Sequence, residues 1–254
     1  MGALQATLGT RRIIAAPAIP TMGRRLTGGM LSGDGIAAPI DVASRIGLSA
    51  AIPDTESDRD MDNLVRSAGS GTLWVGARGL AFALARAAGH PEPKPFRLMP
   101  PLMIVNGSRD PITVAQVERL RARTPVLDAP DGAVPAIAET ELPLAVSICE
   151  GGGGLSGEAA GARFYDGVSR LLHALRPRSL LVAGGESCNG ILDRLDIRSL
   201  QVTAELRPGL PVSSAVATWG NLQLVTKSGG FGTPSLLAEI FDEAESGDDE
   251  EDMR

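Results

Sequence analysis

The sequence is poor in the residues that usually announce a chemistry. Among 254 residues there are two histidines, His90 and His173, and two cysteines, Cys149 and Cys188. Neither histidine stands at ligand spacing from another donor, so no direct motif for a bound metal is present. The cysteines lie far apart, in or beside apolar stretches. That excludes a disulfide framework and fits reduced thiols in a cytoplasmic protein. Aromatic residues make up 3% of the chain, so its core must be assembled from Ala, Val, Leu and Ile. No apolar run approaches the ~18 residues of a membrane-spanning helix, and no membrane partner is expected. The 31 glycines and 18 prolines follow no repeat, and with 43% hydrophobic residues beside them they mark tight turns rather than disorder.

Charge is also scarce once its distribution is considered. The formal net charge is -6, but residues 242–254 hold eight acids against Arg254 alone, which leaves 23 basic and 22 acidic residues elsewhere. That near-neutral remainder has no basic footprint, so nucleic acid is not an expected partner. The acidic end reads as a solvated, frayed tail over 242–254.

What is present is an alternation of short apolar runs and helical patterns. Residues 12–16, 49–52 and 73–75 read as strands, with a donor-rich loop or hairpin over 21–29, a short helix capped by Asp41, and helices over 57–68 and 78–88. Five prolines between Pro91 and Pro101 block both helix and inner strand. They set a boundary between residues 1–96 and 97–241. The second segment alternates regularly, with strands at 102–106, 125–127, 144–148, 179–183, 200–206 and 222–226 and helices at 113–122, 158–175, 186–195 and 234–243. Continuous apolar strands alternating with helices predict an α/β fold with a mainly parallel sheet covered on both faces. In such sheets ligands bind beyond the carboxyl ends of the strands.

Several turns at those ends carry small residues. Gly107-Ser108 precedes Asp110-Pro111, so Ser108 could offer its hydroxyl and N–H to a phosphate or ribose, or Asp110 or Thr113 simply caps a helix with Pro111 in its first turn. Gly184-Gly185-Glu186-Ser187 brings backbone close to a ligand, with Glu186 able to accept from ribose hydroxyls or to hold Mg²⁺ through water and Ser187 able to cap the next helix. Lys227-Ser228-Gly229-Gly230-Phe231-Gly232 has no Walker glycine, since Thr226 stands there; Lys227 either neutralises phosphate or snorkels from a strand end. Gly152 to Gly157 formally satisfies G-x-G-x-x-G, but in a four-glycine run it reads first as a surface loop. A dinucleotide-binding oxidoreductase using that loop stays open as a weaker reading.

The order of these pieces resembles a known family. Gly107-Ser-Arg-Asp-Pro-Ile-Thr-Val-Ala-Gln116, Ala183-Gly-Gly-Glu-Ser187, Arg207-Pro-Gly-Leu-Pro211 and Thr226-Lys-Ser-Gly-Gly-Phe-Gly232 resemble, in sequence, the C-terminal nucleotide-binding domain of the four-carbon acid sugar kinases. Ala183, Ser187 and Gly230 depart from the commonest family residues. Upstream, Ala16-Pro-Ala-Ile-Pro-Thr-Met-Gly-Arg24, Ile52-Pro-Asp-Thr-Glu-Ser-Asp58 and Trp74-Val-Gly-Ala-Arg-Gly-Leu80 resemble further family segments. Residues 128–160 show no matching motif. The family's D-D-L-T-G-A and K-x-D-S-T-L-R-G segments, which serve acid-sugar binding and catalysis, do not occur in the chain.

The resemblance implies a truncated acid-sugar-binding α/β domain over 1–96, a nucleotide-binding domain over 97–241, and ATP with Mg²⁺ as cofactors. It implies that Ser108, Gly184, Gly185, Glu186, Ser187, Gly229, Gly230 and Gly232 contact ATP and that Arg24 faces substrate or phosphate. The small-molecule partner would be an aldonate-type acid sugar, phosphorylated on a hydroxyl. No catalytic base is assigned. A homo-oligomer or a complementary subunit supplying the missing segments is compatible with the pattern, as is a catalytically silent nucleotide-binding or partner-binding remnant.

Overall fold

The computed structural model describes residues 12–46, 50–90, 96–135, 142 and 144–246, and the chain divides into two compact units, Met1–Pro93 and Lys94–Arg254.

In the N-terminal unit β1 (Ile13–Ala16) is buried throughout, as its unbroken apolar sequence requires, and pairs in parallel with β5 (Leu73–Gly76). Between them β2 (Arg24–Thr27), β3 (Met30–Gly33) and β4 (Ile40–Asp41) form a small antiparallel sheet. The short helix α1 (Val42–Ile46) starts where Asp41 accepts from the amides of Ala43 and Ser44. Helix α2 (Asp58–Ser67) opens on a capping box in which Ser57 and Asp60 satisfy each other's backbone amides. Helix α3 (Arg78–Ala87) completes the unit and buries Leu80 and Ala83 against Ala15, Ala16, Leu26 and Met61. The strand expected over residues 49–52 is not formed: residue 49 lies outside the described residues, and Ala51 makes a single parallel bridge to Ile14 before Pro53 ends the pairing.

The C-terminal unit is a seven-stranded sheet with helices on both faces. Its strands are β6 (Leu102–Asn106), β7 (Val126–Pro130), β8 (Leu144–Cys149), β9 (Ser179–Ala183), β10 (Gln201–Arg207), β11 (Leu210–Ala217) and β12 (Gly220–Lys227), in the order β10-β11-β12-β9-β6-β8-β7. The five from β12 to β7 are parallel; β10 and β11 add an antiparallel edge. Alternate residues of the buried strands feed two cores. Met103, Val105, Leu180 and Val182 pack under α5 (Gly157–Leu175) and α6 (Gly185–Arg194), around Phe164 and Ile191. Leu102, Ile104, Leu181 and Val225 pack under α4 (Pro111–Leu120) and α7 (Leu236–Glu245). Each fully buried Leu or Ile contributes roughly 1.5–3 kcal/mol, so aliphatic side chains suffice where aromatics are few.

Two expectations are corrected here. Strand β11 is missing from the sequence reading because Ser213 and Ser214 interrupt its apolar alternation, although Ser213 is buried. The acidic tail does not begin at residue 242, because α7 continues to Glu245. Asp242 pairs with Arg123 at 3.0 Å, Glu243 pairs with Arg207, and Glu245 accepts from the amide of Leu102 at 3.0 Å. Three of the eight acids are thus docked; residues 247–254 lie outside the described residues.

Candidate nucleotide site

The turns after β6, β9 and β12, together with the end of β8, border one cavity of about 430 Å³ at the carboxyl end of the parallel sheet. Gly107, Ser108, Gly184, Gly185, Glu186, Ser187 and Gly229 line it. Gly230 and Gly232 belong to the same terminal loop but are not among the lining residues. Arg24 belongs to the N-terminal unit, where its guanidinium Nε donates to the carbonyl of Asp34 at 2.9 Å across the β2–β3 hairpin.

The glycines are required by close approach. A β-carbon on Gly107 would overlap the Ser187 hydroxyl, and one on Gly229 would overlap the Ser108 hydroxyl. Gly184 has φ +109°, a conformation open to glycine, and is the N-cap of α6. It supplies no side-chain cap. Ser187, expected as the cap, instead sits in the first turn with 5% exposure, its hydroxyl turned toward Gly107. Among the described residues the amides of Gly185, Glu186 and Ser187 donate to no protein acceptor, and all three residues line the cavity. A helix N-terminus in this state carries partial positive charge and free donors, a ready cradle for phosphate.

Ser108 is more constrained than its sequence suggests. Its amide donates to Asn106 Oδ1 at 2.8 Å, so only the hydroxyl can serve a ligand; that oxygen already accepts from the amide of Asp110 at 3.2 Å. Asn106, 1% exposed at the end of β6, is in turn held by a bond from its Nδ2 to Ser147 Oγ at 3.0 Å. Asp110 caps α4 by accepting from Ile112 at 2.9 Å, with Pro111 in the first turn.

The terminal loop is pinned by a polar stripe of α4. Thr113, fully buried, donates to the carbonyl of Gly229, and Gln116 Nε2 donates to the carbonyls of Phe231 and Thr233 at 3.0 and 2.8 Å. Arg207-Pro-Gly-Leu-Pro211 also meets this loop. Pro208 and Gly209 turn β10 into β11, and Gly209, at φ +89°, abuts the Phe231 ring, where a β-carbon would lie 2.8 Å away. Lys227, left open between phosphate contact and snorkelling, does not snorkel. It is 2% exposed, and its Nζ donates at 3.0 Å to Thr113 Oγ1 and to the carbonyls of Ser228 and Gly229. Burial lowers its pKa to about 8, partly opposed by the Asp110 carboxylate.

Arg109, Ile148, Gly157, Gly161 and Tyr165 also line the cavity and were not assigned to it from sequence; Tyr165 is the one aromatic among them. It follows Gly157 and Gly161 at intervals of four along α5, and its ring packs where Gly161 and Gly190 bring α5 and α6 together. That i, i+4, i+8 pattern was its only sequence signal. Glu186 is the one carboxylate lining the cavity, and no group of three metal-ligating side chains occurs among the described residues. This set suits Mg²⁺ carried mainly by phosphate and water. In the Gly152–Gly157 loop, the amides of Gly151 and Gly153 are already bound by the Asp131 carboxylate at 3.1 and 2.7 Å. Burial raises the pKa of both free cysteines, which leaves them as unreactive thiols.

Residues 129–237 match the family model of the nucleotide-binding C-terminal domain, a match that starts inside the stretch where no motif was legible. The chain is 29% identical over 261 residues to a 3-oxo-tetronate kinase of Pseudomonas fluorescens, covering 88% of this chain and 60% of that protein. It is 27% identical over 223 residues to a D-threonate kinase of Cupriavidus necator, covering 76% and 53%. The chain thus spans little more than half the length of these relatives. A solved Haemophilus influenzae protein of the family DUF1537 has the same fold, with TM-score 0.62 and 18% identity over 97% of this chain and 76% of that one. No helix of the described residues is long and apolar enough to cross a membrane. The chain is similar to the four-carbon acid sugar kinases, and its residues 129–237 match a nucleotide-binding C-terminal domain.

Proposed function

We propose that the protein binds ATP with Mg²⁺ in the cavity of the C-terminal unit and is a kinase for a four-carbon acid sugar of the tetronate or threonate type. The observation that carries the reading is the uncapped start of α6 facing a cavity edged by Gly107, Gly184 and Gly229. Phosphoryl transfer depends mainly on positioning and on donors aimed at phosphate oxygens, and these elements supply both. In this reading the amides of Gly185 and Ser187 hold phosphate at the helix N-terminus, Gly184, whose own amide donates to the Lys227 carbonyl at 2.9 Å, lets the backbone come close to it, Ser108 donates its hydroxyl, and Glu186 holds Mg²⁺ through water. Gly229 sets the edge of the cavity, while Gly230 and Gly232 support it from the loop behind. Mg²⁺ would offset charge on the phosphate oxygens. Arg24 is assigned to an acidic substrate group by its motif alone.

The names of the relatives support the acid-sugar class. The test is ADP release by the full chain over a panel of four-carbon acids, alongside calorimetric titration with ATP and with NAD. ADP release with at least one acid supports the kinase. ATP binding without release for any acid favours a silent nucleotide-binding protein. NAD binding without ATP binding overturns the reading.

A further inference from the structure

Lys227 has a place in the fold that the nucleotide reading does not use. Its ammonium is buried at the end of β12 and touches no carboxylate; its three acceptors are one hydroxyl and two consecutive backbone carbonyls, those of Ser228 and Gly229. In a planar trans peptide the N–H points opposite to the C=O. The carbonyl of Ser228 turned toward Lys227 therefore turns the N–H of Gly229 away from it, and the carbonyl of Gly229 does the same for Gly230. Among the described residues neither amide donates to a protein acceptor, and Gly229 lines the cavity. The carbonyl of Gly229 is held a second time by Thr113, so this peptide orientation is fixed from two sides.

We propose that Lys227 is a positioning residue of the phosphate end, a buried cation that draws two carbonyls inward so that the Gly229 and Gly230 amides and its own charge act together on an anion beside Ser108. The inference rests on the reading of the cavity as a nucleotide site and adds the device that gives the terminal loop its polarity. Lys227 need not touch the ligand; its effect passes through the loop. Among the described residues the charged group that acts on it is Asp110, at the N-cap of α4, whose carboxylate also stands 3.0 Å from where a Gly230 β-carbon would be. Thr113, from the same helix, is neutral. With its proton gone the amine keeps at most two donors for its acceptors, the loop loosens, and the site loses a positive charge.

The sign of the pH dependence follows. A bound anion favours the protonated amine, so affinity is full below the free-state value of about 8 and falls as pH rises through it, by up to about tenfold per pH unit. Phosphate monoesters complete their own second ionisation near pH 6, so they do not blur this window. The experiment is titration of the full chain with MgATP from about pH 7 to about pH 9.5, alongside sulfate, an anion with no ionisation in that range, read at the Gly229 and Gly230 amide resonances. Adenosine serves as the phosphate-free control.

The expected result is ATP affinity that falls above pH ~8, a sulfate response at both amides that fades over the same window, and flat adenosine binding. Lys227→Met should weaken ATP by about tenfold or more at neutral pH, with a flat profile, and should leave adenosine unchanged. ATP affinity in the unaltered chain that does not vary with pH overturns the inference and leaves the nucleotide reading standing. A fading sulfate response without ATP binding does the reverse. Absence of both responses overturns both. The unaltered chain decides the matter alone if the variant does not fold.

Discussion

Gly107 and Lys227 show at the residue scale how little freedom the site has. Gly107 faces the buried Ser187 hydroxyl across a gap with no room for a β-carbon. Gly107→Ala should cost about 1–3 kcal/mol of stability by overpacking and weaken ATP by about tenfold or more, measured by denaturant unfolding and calorimetric titration. Lys227 carries a cost of another kind. Its pKa in the folded chain, about 8, lies below the ordinary lysine value of 10.5, because burial disfavours the ammonium. Between those values the unfolded chain binds the proton more strongly, so unfolding free energy rises with pH there; below about 8 the full penalty is present. Compared with Lys227→Met, the unaltered protein should therefore gain on the order of 1–3 kcal/mol as pH rises from about 8 to about 10, checked by urea denaturation at several pH values. The charge that orients the loop is a charge the fold would be more stable without.

At the scale of elements, α4 organises the terminal loop although the two are separated by about a hundred residues. Its residues Asp110, Thr113 and Gln116 recur every three positions, which puts them on one side of the helix toward that loop. This explains physically why the motif ending at Gln116 and the motif beginning at Thr226 occur together: one is the clamp for the other. Thr113→Val keeps shape but removes the hydroxyl that Lys227 and Gly229 share, and should destabilise by about 1–3 kcal/mol and weaken ATP binding, read by thermal unfolding and titration. The buried strands β6 and β9 were legible because every residue in them is buried, so both faces read as apolar. Strand β11 was not, because two of its residues are serines whose place in the sheet is decided by their neighbours. The last turn of α7 was hidden for a related reason, since its acids look like a tail until Arg123, Arg207 and the amide of Leu102 are seen to hold them.

At the scale of the molecule, the two compact units have separate cores and the cavity lies within the second. Every turn that edges it, and the α4 stripe behind it, falls between residues 94 and 254. A chain limited to those residues should fold and bind ATP within about threefold of the full chain, checked by circular dichroism and titration, since no described residue of the first unit lines the cavity. Phosphoryl transfer to an acid sugar is the property expected to need more than that unit, because a transfer enzyme must also hold its acceptor.

The sequence by itself determined the α/β class, the parallel core strands and the order of the glycine turns, because burial on two faces and backbone close to a ligand leave unambiguous residue patterns. It also carried the family resemblance on four short segments of the C-terminal unit and three upstream. The tertiary structure decided which donors are free. The Ser108 amide is spent on Asn106, Gly184 rather than Ser187 begins α6, and Lys227 lies inside rather than at the surface. It also placed Tyr165 at the cavity. Those facts depend on hydrogen bonds and contacts between segments far apart in the chain, and local sequence holds no record of which partner a polar group will find.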